Sequence, residues 1–152
     1  MNTLKLYLRK CKTFVGLDVN YKVGFLKAFI YTGIARAYIL FFPFNKLRKR
    51  MGKVKLESPK NIEIEKIKVA KEIGNLIIQV IGYTPWESKC LVQALTAQWM
   101  LKDKGISSTI YLGVKKDSNN NIIAHAWIRC GNYYVTGGCN KDGYAIVAKF
   151  SS

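Results

Sequence analysis

An α+β fold is what this 152-residue sequence predicts, with helices through the first two thirds and an antiparallel sheet after them. Three observations carry that reading. Up to about residue 104, apolar residues recur three or four positions apart, the period of a helix with one buried face. Beyond Gly105 the period falls to two, as in half-buried strands. Short runs of Gly, Asn and Asp then separate the alternating segments at hairpin spacing.

The first helical stretch runs from Leu4 to Phe44. Leu4, Leu6, Leu8, Phe14 and Leu17 lead into Phe25, Leu26, Phe29, Ile30, Ile34, Ala37, Tyr38 and Phe41. Tyr31-Thr32-Gly33 and Arg36 interrupt the apolar run, so it falls short of the ~20 uninterrupted residues of a membrane span, and Pro43 stops it. A basic cluster, Lys46-Leu47-Arg48-Lys49-Arg50, follows, and residues 52–62, with Gly52, Ser58, Pro59 and Asn61, read as a linker. The next helix covers Glu63 to Ile81, with Ile67, Ala70, Ile73, Leu76, Ile77 and Val80 on one stripe, and Gly82-Tyr83-Thr84-Pro85 breaks it. A further helix covers Glu87 to Lys104. Leu91, Ala94, Leu95, Gln98 and Leu101 line one face, Lys102 and Lys104 suit the dipole of its last turn, and Gly105 caps it. Strands are expected at 108–114, 122–130, 133–136 and 144–150. The chain divides into a basic helical segment, 1–60, and a second unit, 61–152.

With 49% hydrophobic and 12% aromatic residues, the chain can bury a real core. Cys11, Cys90, Cys130 and Cys139 are too few for a disulfide scaffold, and no two stand at the C-x-x-C spacing of a zinc or redox site. The first twelve residues alternate Lys/Arg with Leu and lack the continuous apolar core of a secretory signal. A reducing, cytoplasmic setting with free thiols is the expectation, including for Cys130 and Cys139, which flank the last hairpin. The net charge of +16 is uneven: residues 1–60 hold 14 Lys and Arg against Asp18 and Glu57 alone. That asymmetry fits either an ordinary solvated basic face or an acidic partner: a protein, an anionic membrane surface met peripherally, or nucleic acid. The basic cluster carries no stacking aromatics of its own, and no nucleic acid partner is expected.

Cys90 falls in the first turn of a predicted helix. The positive end of the helix dipole and the unpaired N–H groups there favour thiolate, the nucleophilic form, and can hold an oxyanion on a substrate carbonyl. A small buried core residue is the ordinary role of a free cysteine. His125, the lone histidine, sits mid-strand in Ala124-His125-Ala126-Trp127. A single histidine on a half-buried strand is ordinarily a hydrogen-bonded core residue. Yet a cysteine at a helix start, followed by a strand and then a histidine on the neighbouring strand, is the arrangement that papain-like and transglutaminase-like enzymes use. A sheet packed on the helix lets imidazole and thiol approach one another.

Trp86-Glu87-Ser88-Lys89-Cys90-Leu91-Val92-Gln93-Ala94-Leu95, then Tyr111-Leu112-Gly113-Val114 and Ala124-His125-Ala126-Trp127-Ile128, resemble the transglutaminase-like maturation proteases of lasso-peptide biosynthesis, the B protein in its split form. The resemblance covers about residues 84–150 and extends more loosely to Ile34-Ala35-Arg36 and Phe42-Pro43-Phe44. It implies a transglutaminase-like, papain-like cysteine protease core in which a Cys-bearing helix packs on an antiparallel sheet behind an N-terminal helical segment. It implies further that Cys90 is the nucleophile and His125 the general base and acid of a hydrolase that removes the leader from a ribosomally made precursor peptide. The implied partners are that leader, a separate winged-helix leader-recognition protein and a macrolactam-forming cyclase.

One position departs from the family. The aspartate that usually orients the histidine about a dozen residues downstream is missing from Tyr133-Tyr134-Val135-Thr136-Gly137-Gly138. If Gly131-Asn132 is a two-residue hairpin turn, position 130 pairs with 133 and His125 stands opposite Gly138. Thr136, a backbone carbonyl, Asn140 or Asp142 is then left to hold the imidazole. A Cys–His dyad can act without a third member, and the same pattern fits a degenerate relative that serves as a scaffold or basic binding module. Trp86 and Trp127 read as core aromatics, Trp86 standing near enough to line a substrate cleft. Gln93 reads as an exposed polar residue or as an oxyanion donor. No metal or nucleotide cofactor is implied, since the sequence has no Gly-rich phosphate loop, paired carboxylates or histidine-rich cluster.

Overall fold

The computed structural model describes residues 18–152. The apolar positions from Leu4 to Leu17, and Cys11, lie outside the described residues. Helix α1 spans Val19–Phe41, begun by Asp18, whose carboxylate accepts the Asn20 N–H at 2.9 Å. It ends where Phe42 turns extended, because the ring of Pro43 excludes a helical conformation from the residue before it. The basic cluster is itself a short helix, α2 (Phe44–Arg50), with Leu47 buried. Helix α3 spans Ile64–Ile81 and α4 Cys90–Asp103. Gly105, at φ +68°, closes α4: the Gly105 N–H bonds the Lys102 carbonyl, and the Ile106 N–H bonds that of Leu101.

Five strands follow the order β1-β5-β2-β3-β4, every neighbouring pair antiparallel. They are β1 (Lys53–Val54), β2 (Thr109–Lys116), β3 (Ile122–Cys130), β4 (Tyr133–Thr136) and β5 (Ala145–Ser151). Helices α1, α3 and α4 pack on one another, and α3 and α4 cover one face of the sheet. Between them Ile77, Leu95, Leu101, Ile110, Ile128 and Phe150 are almost wholly buried. Each such side chain contributes roughly 1.5–3 kcal/mol of transfer free energy. The expected α+β architecture is therefore the one observed.

Several local expectations are corrected. The stretch expected to be a linker contains β1, because Gly52, at φ +103°, turns the chain in against Ser151. Helix α4 begins at Cys90, three residues later than expected, because Trp86 and Glu87 are engaged elsewhere. The hairpin register begins as expected, with Cys130 opposite Tyr133 and Arg129 opposite Tyr134. It then slips, so that Ile128 faces Thr136. The cause is Val135, which turns into the core, where its carbonyl lies 2.7 Å from the place a Cβ on Gly74 would take. Helix α1 is also long and apolar enough overall to cross a membrane, despite the polar residues that interrupt it. Length and composition alone give that result, and the core helix of a soluble protein meets the same test.

Candidate active site

Cys90 is the first residue of α4 and is half-buried against the core. No side chain caps the helix, and its first intrahelical bond is from the Gln93 N–H to the Lys89 carbonyl. The N–H groups of Cys90, Leu91 and Val92 precede that bond and point out of the helix end, as a developing oxyanion requires. Gln93 does not extend this set. Its side-chain Nε2 donates to the Ser88 carbonyl at 2.8 Å and fixes the turn that leads into Cys90. Thr84 adds to that stitching, with its hydroxyl 3.0 Å from that of Ser88 and donating to the Ile81 carbonyl at 3.1 Å.

The turn before Cys90 is held by α1. The Trp86 Nε1 donates to the Thr32 hydroxyl at 3.3 Å, and its ring lies against Gly33, where a Cβ would sit 3.0 Å from it. Phe29, one turn earlier on the same helix, also meets the indole, ring centroids 4.9 Å apart. Glu87 pairs with Arg36 at 3.0 Å and with Lys89 at 2.6 Å, and the hydrogen bond from Lys89 holds its carboxyl below the usual range. Trp86 thus anchors the loop on a neighbouring helix.

His125 lies in the middle of β3. Its Nε2 is 2.9 Å from the carbonyl oxygen of Gly137. A carbonyl only accepts, so Nε2 carries a proton, and in the neutral ring the lone pair is on Nδ1. Of the groups considered for holding the imidazole, a backbone carbonyl fills the role, twelve residues downstream of the histidine. The others are elsewhere: the Thr136 hydroxyl is buried without a hydrogen bond, Asp142 pairs with Lys141, and Asn140 is exposed. Gly137 adopts φ +73°, which turns the chain from β4 into the 3-10 turn Gly138–Asn140. No residue type in the sequence marks a carbonyl. The glycine at the end of a strand is the only signal that could have pointed there.

Strand alternation places Ala126, Ile128 and Cys130 in the core beneath the helices, and His125, Trp127 and Arg129 on the opposite face. On that face His125 stacks on Trp127 at 5.8 Å and meets Tyr144 at 5.3 Å, while Tyr111 stacks on Trp127 at 5.7 Å. Beside these rings lies an open cleft of about 360 Å³, lined in part by Trp127, Tyr134, Lys141 and Tyr144. Cys90 does not line it. No hydrogen bond joins Cys90 to His125, so the structure places both expected residues without bringing thiol and imidazole into hydrogen-bonding contact.

The same face holds a buried cation that sequence reasoning missed. Arg129 donates from Nε to the Tyr111 hydroxyl at 3.0 Å, and from Nη1 to the Gly131 carbonyl at 2.5 Å. Its Nη2 serves the Ser58 carbonyl at 2.9 Å and Glu57 at 3.2 Å. Glu57 also binds Lys149, whose hydrogen bond, with that of Tyr111, holds the carboxyl below its usual range. Cys90, Cys130 and Cys139 are free thiols, and burial pushes that of Cys130 up. Among the described residues no cluster of His, Cys, Asp and Glu could hold a metal ion.

The sheet-on-helix layering with a cysteine opening the central helix defines a class of protein. The family model described as the transglutaminase-like superfamily matches residues 38–149, and the chain belongs to that superfamily, whose members include cysteine proteases and transglutaminases. No curated protein and no solved structure matches the chain at a significant level.

Proposed function

We propose that the protein is a cysteine peptidase that removes the leader from a lasso-peptide precursor. The carrying observation is Cys90 as the first residue of an uncapped helix in a transglutaminase-like domain. The Cys90 thiol gives its proton to Nδ1 of His125, and the sulfur attacks the scissile carbonyl carbon. The first-turn N–H groups of α4 hold the oxyanion. His125 then protonates the leaving amine as the C–N bond breaks, and water attacks the thioester, restoring the thiol and releasing the leader's carboxylate. The hydrogen bond to the Gly137 carbonyl suits this role, because in the neutral ring it fixes the proton on Nε2 and leaves Nδ1 as the basic nitrogen. The thiol packs on the helix side of the sheet and the imidazole stands on its other face, so the first step requires the two to draw together.

The substrate is the precursor's leader, delivered by a separate winged-helix recognition protein, with the macrolactam-forming cyclase acting next in the cytoplasm. The test is mass spectrometry of precursor incubated with the full chain and the recognition protein. Leader removal that Cys90→Ala and His125→Ala each abolish, with folding intact, is the expected result; cleavage retained by Cys90→Ala would sink the mechanism. A second reading has its own observation. His125 and Cys90 share no hydrogen bond, and Gly137 stands about where the family's aspartate would be, which favours a scaffold that keeps the fold without the chemistry. It predicts that the wild-type chain binds precursor or partner and cleaves nothing.

A further inference from the structure

Helix α1 is apolar on both sides. Its inner face is buried through Ala28, Thr32 and Ala35. Its outer face carries Val19, Val23, Leu26, Ile30, Ile34 and Phe41, each between 40% and 77% exposed. Their spacing of three, four and seven residues keeps all six on one stripe of a helix about 35 Å long. A soluble helix normally turns a charged face to water, and a stripe of this size calls for a cover. At its C-terminal end the stripe continues into exposed Phe42 and Phe44, followed by exposed Lys46, Arg48, Lys49 and Arg50.

Charge selects the cover. Residues 19–56 hold nine Lys and Arg and no Asp or Glu. Pairing two copies through this face would oppose two such stretches with no acid between them. Anionic lipid headgroups supply the missing charge, and their acyl boundary takes the apolar side chains. We infer that the outer face of α1, with the basic helix α2, docks the protein in the plane of an anionic membrane surface. The helix lies on the bilayer and does not cross it, because its inner face is committed to the protein. Trp86 bonds Thr32, Glu87 pairs with Arg36, and Asp103 takes both the Tyr31 hydroxyl at 2.7 Å and Lys27 at 2.6 Å.

Flotation of the full chain with vesicles tests this. The protein is expected to rise with vesicles of phosphatidylcholine mixed with phosphatidylglycerol, to stay behind with phosphatidylcholine alone, and to be released by salt or alkaline carbonate. Val23→Asp with Ile30→Asp, and separately Lys49→Glu with Arg50→Glu, should each weaken binding at least about tenfold. All four side chains are exposed, Arg50 over the ring of Tyr38, so thermal unfolding should remain cooperative in both variants. No binding to the anionic vesicles, equal binding to neutral ones, or resistance to carbonate overturns the inference. So does a concentration-dependent dimer that Ile30→Asp dissolves, which would give the face to a second copy.

Discussion

The Nε2 of His125 rests on the carbonyl oxygen of Gly137, 2.9 Å away. A carbonyl orients an imidazole as a carboxylate does, but brings no charge to stabilise the imidazolium that forms when the thiol is deprotonated. The geometry of that bond depends on Gly137. A Cβ there would lie 2.5 Å from the Ala126 carbonyl oxygen and 3.0 Å from the Cβ of Trp127, at a φ of +73° that L residues resist. Gly137→Ala is expected to cost about 1–3 kcal/mol, read by urea unfolding, and to shift the His125 ring resonances. An unchanged midpoint would show that the turn relaxes freely.

Thiol reactivity separates a nucleophile from a merely accessible cysteine. Cys139 is exposed, Cys90 half-buried and Cys130 buried with its thiol pushed up. Exposure alone ranks Cys139 first. If the start of α4 activates Cys90, iodoacetamide at neutral pH should label Cys90 fastest and Cys130 slowest, as followed by peptide mapping. Cys139 reacting first would favour the scaffold reading.

Arg129 is 5% exposed and holds two carbonyls, a phenol and a carboxylate in place. Arg129→Met leaves the carbonyls of Ser58 and Gly131 without this donor, while Glu57 keeps Lys149 and Tyr111. A loss of about 2–4 kcal/mol is expected in chemical denaturation, with the 57–58 segment becoming protease-sensitive. A loss below about 1 kcal/mol would show that water replaces the guanidinium.

Acid should loosen the same network. Lys149 and Tyr111 hold the Glu57 carboxyl below its unfolded value, near 4.3. The folded state therefore binds the proton less readily, so the stabilisation is whole above that value and fades as pH falls through the lower folded one. Melting temperatures measured downward from pH 6 should fall more steeply for the wild type than for Glu57→Gln. Parallel curves would assign the acid sensitivity to other carboxylates.

Local pattern carried most of the fold. The stripe Ile67, Ala70, Ile73, Ile77 and Val80 placed α3 within a residue of its observed start, and alternation placed β2 to β5. What local pattern could not carry was made by contacts between distant segments. Strand β1 exists because Gly52 lets the chain turn in beside Ser151. The register slip arises because Val135 packs on Gly74, and α4 starts late because Trp86 and Glu87 reach back to α1. The candidate site was legible in its residues and not in its geometry. Spacing put Cys90 at a helix start and His125 on a strand, but the face that each occupies follows from which strand positions the core claims.

The seat of Trp86 on Gly33 has a bearing on how such chains diverge. The two positions are 53 residues apart, yet a methyl group on one presses the indole of the other. A larger residue at 33 demands a smaller one at 86, so drift at the two sites should be correlated, with compensating swaps retained and single changes purged. The stretch by which the family is recognised starts at residue 38, downstream of Gly33. A fragment trimmed to that stretch would discard half of a matched pair and leave the loop before Cys90 without its mould.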